Sequence, residues 1–152
     1  MNRVEVSAQE IPLPGWSGSL EAFALKVLDL VKKDDWDLSI LLCGNGFISR
    51  LNAQYRNREG PTDILSFPLG ETLEEGGAVR HLPGDIVLSL EALGENARYF
   101  QVPEDEELRR LLIHGILHLD GMDHQDNEPD QAMLALQERL LAQLAGERIL
   151  PL

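Results

Sequence analysis

The stretch His114-Gly-Ile-Leu-His118-Leu-Asp-Gly121-Met-Asp-His124 holds three of the chain's four histidines within eleven residues, and it constrains the fold more tightly than any other segment. Side chains four apart on a helix share a face, so a helix over 104–119 brings the imidazoles of His114 and His118 within reach of a common ion. Leu108, Leu111, Leu112, Gly115, Ile116 and Leu119 provide the packing that holds such a helix in place. Pro103 suits the entry to it, and the acids Glu104 to Glu107 fall at its positive end. Gly121 suits the positive φ that ends a helix and turns the chain back, letting His124 approach from the loop. Three neutral imidazoles then converge. They suit zinc, and with no obvious fourth protein ligand they leave a position for water, as catalytic zinc sites do. One zinc per chain is expected, another divalent metal being the alternative.

The spacing also matches the zinc-protease pattern His-Glu-x-x-His-x-x-Gly-x-x-His at every ligand and at the glycine. It departs at the glutamate, where Gly115 stands. That glutamate is the general base of the protease, so peptide hydrolysis loses the group it most needs. A substrate with an anionic transition state can rely instead on the metal as Lewis acid and on an arginine.

The remaining segments supply the frame. Residues 2–8 alternate and read as a strand, and a Pro/Gly-punctuated loop, Ile11 to Gly15, follows. Ser17 or Ser19 offers an N-cap for a helix running through Lys33. Trp36 to Leu42 reads as a buried strand, and Asn45 as the cap of a helix over 46–57. Pro61 to Pro68 is a short extended segment, Gly70 to Gly77 a polar acidic loop, and Gly84 to Ser89 another strand. Helices over about 90–100, 104–119 and 130–145 complete the chain. This order predicts an α/β (α+β) fold, a small mixed β-sheet packed with about five helices, with the three-histidine metal site on a helix plus turn.

Length and charge narrow the class. A chain of 152 residues with 43% apolar and 26% charged residues is expected to form one globular domain over 1–152. Cys43 has no partner, which excludes a disulfide framework and a cysteine zinc site, and its apolar run makes it a buried hydrophobe. A net charge of −13 opposes long-range attraction to a phosphate backbone. The stretch Arg50 to Arg58, however, holds three arginines and no acid, so a polyanion would bind locally. No segment resembles a signal peptide or approaches the ~20 apolar residues that span a bilayer, so no membrane partner and a cytoplasmic location are expected. His81, before Pro83, is read as an ordinary loop histidine.

Three blocks together resemble the YbeY-type endoribonucleases, also described as rRNA maturation factors. They are Leu51-Asn52-Ala-Gln-Tyr55-Arg56 followed by Pro61-Thr62-Asp63-Ile-Leu65-Ser66-Phe67-Pro68, then Gly84-Asp85-Ile86, then the histidine block. The resemblance spans most of residues 36–125 and departs at Met122, where the family usually has an aromatic. It implies a zinc-dependent, single-strand-directed endoribonuclease that matures the 3′ end of small-subunit rRNA and takes part in ribosome quality control, with RNA and the small subunit as partners rather than DNA. Carried over by position, the ligands are His114, His118 and His124, and the arginine of the first block is Arg56. An arginine beside an open metal site offers a planar, permanently charged fork to a phosphodiester oxygen. Arg50 and Arg58 are read as solvated helix residues. Asp63 and Asp85 fit turn caps or partners of histidine N–H groups, and Asp123, beside a ligand, fits the latter best. Nothing marks Ser66 as a nucleophile, which is left open between metal-bound hydroxide and the substrate's 2′-OH. Two other functions compete, a non-catalytic ribosome-assembly factor stabilised by zinc and, less well supported, a metalloprotease.

Overall fold

Two parallel strands need a crossover between them, and the chain begins with one. In the computed structural model, which describes residues 1–122 and 131–151, β1 (Arg3–Ala8), α1 (Ser17–Leu30) and β2 (Trp36–Cys43) form that unit. Next come α2 (Asn45–Arg56), the strands β3 (Ile64–Glu75) and β4 (Ala78–Ser89), then α3 (Leu90–Phe100), α4 (Glu104–Leu119) and α5 (Ala132–Gln143). The sheet order is β1-β2-β4-β3; the first three strands run parallel and the edge strand β3 runs antiparallel to β4. A four-stranded mixed sheet with five helices among the described residues is the expected α/β architecture. No helix among the described residues is long and apolar enough to cross a membrane.

Strand alternation divides the interior. Leu38, Ile40 and Leu42 of β2, with Ile86 and Leu88 of β4, point into the main core beneath α1 and α4. Cys43, Leu65 and Val87 point to the other face and pack with Ile48 of α2. Cys43 is fully buried, and that burial pushes its thiol up to about 11, so it serves as packing.

Several local expectations are corrected. The acidic stretch 70–77 is not a loop, because Glu71 to Glu75 pair with Leu82 to Ala78 in the outer part of the β3–β4 hairpin. Gly76 and Gly77, both at positive φ, make the two-residue turn, and this ribbon is exposed enough to tolerate its acids. His81 therefore lies in β4, exposed opposite Thr72, and β4 begins at Ala78 rather than Gly84. Helix α1 starts without a serine cap and stops at Leu30, because Lys32 adopts φ 61° and the Lys33 N–H donates back to the Leu28 carbonyl. Asn45 does not cap α2. Its backbone N–H donates to Glu91 of α3 at 2.9 Å, while its side-chain oxygen accepts from the Ser89 hydroxyl at 2.7 Å. The last helix ends at Gln143, short of 145.

Two positions hold the frame in register. Gly84 has φ 137°, and a Cβ there would lie 2.1 Å from the Phe67 carbonyl oxygen, so the β3–β4 pairing admits only glycine at this point. Asp105 belongs to the acid run at the start of α4, yet it is buried. Its carboxylate accepts from the Ile149 and Leu150 N–H groups at 2.8 Å each and from Arg109 Nε at 2.9 Å, anchoring the C-terminal segment to α4.

Candidate active site

The edge strand β3 separates two helices, with α2 on one face of the sheet and α4 on the other. Alternation aims Ile64, Ser66 and Pro68 toward α4, and Leu65 and Phe67 toward α2. His114 and His118 project from α4 into the space beside Ser66, and Arg56, the last residue of α2, reaches the same space around the β3 edge. The result is a pocket of about 380 Å3 in which Arg56, Ser66, His114 and His118 converge, with Gly121 and Met122 at one end. Asn57, at φ 56°, ends α2, and the buried Asn52 side chain donates to the Gly60 carbonyl at 3.0 Å. Those contacts set where the helix stops and where the chain leaves for β3, so they place Arg56.

The two imidazoles meet Nε2 to Nε2 at 3.0 Å, with ring centroids 4.5 Å apart. His114 Nδ1 lies 2.6 Å from Oε1 of Gln137, a buried residue of α5. An amide oxygen only accepts, so Nδ1 carries the proton and the His114 Nε2 lone pair faces His118 Nε2 on the pocket wall. The Gln137 amide is itself oriented, since its Nε2 donates to Glu138 at 3.1 Å and Glu138 pairs with Arg110 at 3.0 Å. Burial raises the Glu138 carboxyl, but Arg110 and Gln137 outweigh it and hold it below the ordinary carboxylate range. This arrangement fits zinc: two nitrogens bound to a tetrahedral zinc at 2.0–2.1 Å lie roughly 3.3–3.4 Å apart, close to the spacing present. An outer hydrogen bond that fixes the ligand tautomer is also what metal-binding histidines require.

The turn after α4 behaves as its glycine predicts. Gly121 has φ 90°, its N–H donates to the His118 carbonyl, and the Met122 N–H donates to the Leu117 carbonyl, which is the Schellman closure that reverses the chain. His124 and Asp123 lie outside the described residues. Gly115, at the protease glutamate position, faces the sheet. A Cβ there would sit 3.0 Å from the Ile64 and Ile86 methyls, so this position lacks room for a general base.

The other candidates are dispersed. Asp63 accepts from Asn96 of α3 at 2.9 Å, and its carbonyl accepts from the Ser89 N–H, tying the entrance of β3 to α3. Asp85 lies on the α2 side of β4, in a separate groove. Arg50, exposed on α2, pairs with Glu10 and lies over the Phe47 ring, whereas Arg56 has no hydrogen bond or ion pair among the described residues. Gln137 was not anticipated. Its signal was present nonetheless, as a polar residue within the apolar stripe Met133, Leu140, Leu141 and Leu144, where a buried amide requires a partner.

The edge of a mixed α/β sheet thus gathers two histidines, an arginine and a serine around one polar pocket. The family model for endoribonuclease YbeY matches residues 7–145. A Treponema pallidum endoribonuclease YbeY is 51% identical over 144 residues, covering 94% of this chain and 90% of that protein. One from Treponema denticola is 48% identical over 151 residues, covering 97% of each. The solution structure of a Thermotoga maritima protein matches with a TM-score of 0.64 and 31% identity, over 95% of this chain and 90% of that one. The chain belongs to the YbeY endoribonuclease family, a family of hydrolytic nucleases whose substrate is RNA.

Proposed function

We propose that this protein is a zinc-dependent, single-strand-directed endoribonuclease that matures the 3′ end of small-subunit rRNA and contributes to ribosome quality control in the cytoplasm. The observation that carries this reading is the convergence of Arg56 with His114 and His118 on one pocket. The rRNA and small-subunit assignments follow from the family resemblance. His114, His118 and His124 would hold the zinc, which when bound supplies Lewis-acid polarisation of the scissile phosphate and makes water more acidic. The chain's own residues do the rest. Gln137 keeps the His114 ring oriented with its Nε2 lone pair toward His118 Nε2 on the pocket wall. Arg56 offers two parallel N–H donors to phosphate oxygens, and its charge stabilises the added negative charge of the transition state. The Ser66 hydroxyl adds a neutral donor beside it. With a net charge of −13, strand capture depends on these local groups rather than on a broad basic surface.

The test incubates zinc-reconstituted protein with single-stranded RNA, duplex RNA and casein, with His114→Ala as control for contaminating nuclease. Cleavage of the single strand alone is expected. A cyclic phosphate at the new end identifies the 2′-OH as nucleophile. Arg56→Ala should keep fold and zinc while lowering turnover about 10²–10³-fold, and Arg56→Lys should recover little. Arg50→Ala, whose side chain is already held by Glu10, should do much less. RNA binding without cleavage would establish the assembly-factor alternative.

A further inference from the structure

On the opposite face of β3 and β4 from the histidines lies a second groove of about 490 Å3. Its walls are aromatic, with Phe47 and Tyr55 from α2 and Phe67 from β3, and its floor includes Ser39 and Asp85, neighbours across the β2–β4 ladder. Tyr55 is 61% exposed and meets Phe67 edge to face at 5.5 Å, leaving ring surface open to a flat ligand. Asp85 is exposed and has no hydrogen bond or ion pair among the described residues.

The groove shares its rim with the active site. Tyr55 precedes Arg56 on α2, and Phe67 lies between Ser66 and Pro68 on β3; in each case the neighbours line the histidine pocket. A strand whose phosphate sits at Arg56 therefore has the groove within reach, across the β3 edge, for an adjoining nucleotide. A carboxylate on the floor repels phosphate, so the part that enters is a neutral, flat group with N–H donors. Guanine alone among the four bases presents two adjacent donors, N1–H and the N2 amino group, on its Watson–Crick edge. Adenine and cytosine pair one donor with an acceptor there, and uracil flanks its single donor with two acceptors.

The geometry points to a guanine subsite: Asp85 accepts both donors of an unstacked guanine, the exposed Tyr55 ring, braced by Phe67, takes its flat face, and the adjoining phosphodiester is delivered to Arg56. This rests on the endoribonuclease reading for its biological meaning. Its test does not require cleavage.

In metal-free, isotopically labelled full-length protein, the trinucleotide UpGpU is titrated while amide resonances are followed, with UpUpU, guanosine 5′-monophosphate and UpIpU, containing inosine, as comparisons. UpGpU should shift Tyr55, Phe67 and Asp85 and bind at least about ten-fold more tightly than UpUpU, the discrimination of one bidentate base contact. UpIpU, lacking the N2 amino group, should bind more weakly than UpGpU. Asp85→Asn, whose own spectrum reports its fold, should abolish the preference. Equal binding of UpGpU and UpUpU, an unchanged preference in Asp85→Asn, or shifts confined to the histidine pocket would overturn the subsite. Tighter binding of the free mononucleotide than of UpGpU would assign the groove to a nucleotide rather than a strand, and would also overturn it. A protein that shows the guanine preference yet cuts no RNA would refute the nuclease reading while upholding the subsite.

Discussion

Asp105→Ala should be among the most destabilising single changes in this protein. The carboxylate is 3% exposed and satisfies two backbone N–H groups at 2.8 Å and Arg109 Nε at 2.9 Å. Without it Arg109, 9% exposed, keeps the Leu144 carbonyl at 3.4 Å as its described partner. Breaking a buried pair from one side costs about 3–5 kcal/mol, because the remaining charge stays desolvated. For a domain of this size each kcal/mol lowers Tm by roughly 2–4 °C, so a fall of about 6–20 °C is expected in thermal unfolding followed by circular dichroism at pH 7. The double variant Asp105→Ala/Arg109→Leu should recover part of that loss, since no charge is then stranded. A fall under about 3 °C, or a double variant no better than the single one, would refute the anchoring argument. The pH dependence gives an independent check. Burial raises the Asp105 carboxyl, but the Leu150 and Ile149 N–H groups and Arg109 outweigh it and hold it below the ordinary range. An acid depressed by folding lends stability above its unfolded value of about 3.9 and loses it as pH falls through the folded one. The gap between wild type and Asp105→Ala should therefore hold from pH 7 to about 5 and narrow below about 4.

Glu107, two residues along, should behave in the opposite way. Burial outweighs Arg110 and raises its carboxyl, so its ionisation opposes folding; Glu107→Gln should raise Tm at pH 7, and the gain should vanish below the ordinary glutamate range near 4.3. Gly84→Ala forces a Cβ against the Phe67 carbonyl and should cost more than about 3 kcal/mol in urea unfolding, whereas a loss under 1 kcal/mol would show that the strand pair yields. Gln137→Leu should preserve the fold and weaken zinc binding about 10–100-fold in competition with a chelator, while Gln137→Glu, which keeps the acceptor, should retain affinity. Equal affinity in all three proteins would remove Gln137 from the site.

Helix α4 was legible from the sequence end to end, because its apolar spacing, the preceding proline and the glycine after it are local signals, and its two histidines follow from a fixed 3.6-residue period. The fold class was legible for the same reason, as strand–helix–strand order with short connections leaves few arrangements. The acidic hairpin arm was misread because polar composition outweighed the Glu75-Gly-Gly-Ala78 turn signal, and an exposed ribbon shows no hydrophobic alternation. Four features belong to tertiary structure alone. Glu91 takes the place of Asn45 at the start of α2, Asp105 binds a segment 44 residues away, Gln137 orients His114 across 23 residues, and Arg56 reaches the histidine pocket around an edge strand. Each depends on which elements the sheet order makes neighbours. A residue's own chemistry states what partner it needs, and only the packing of distant elements decides which group supplies it.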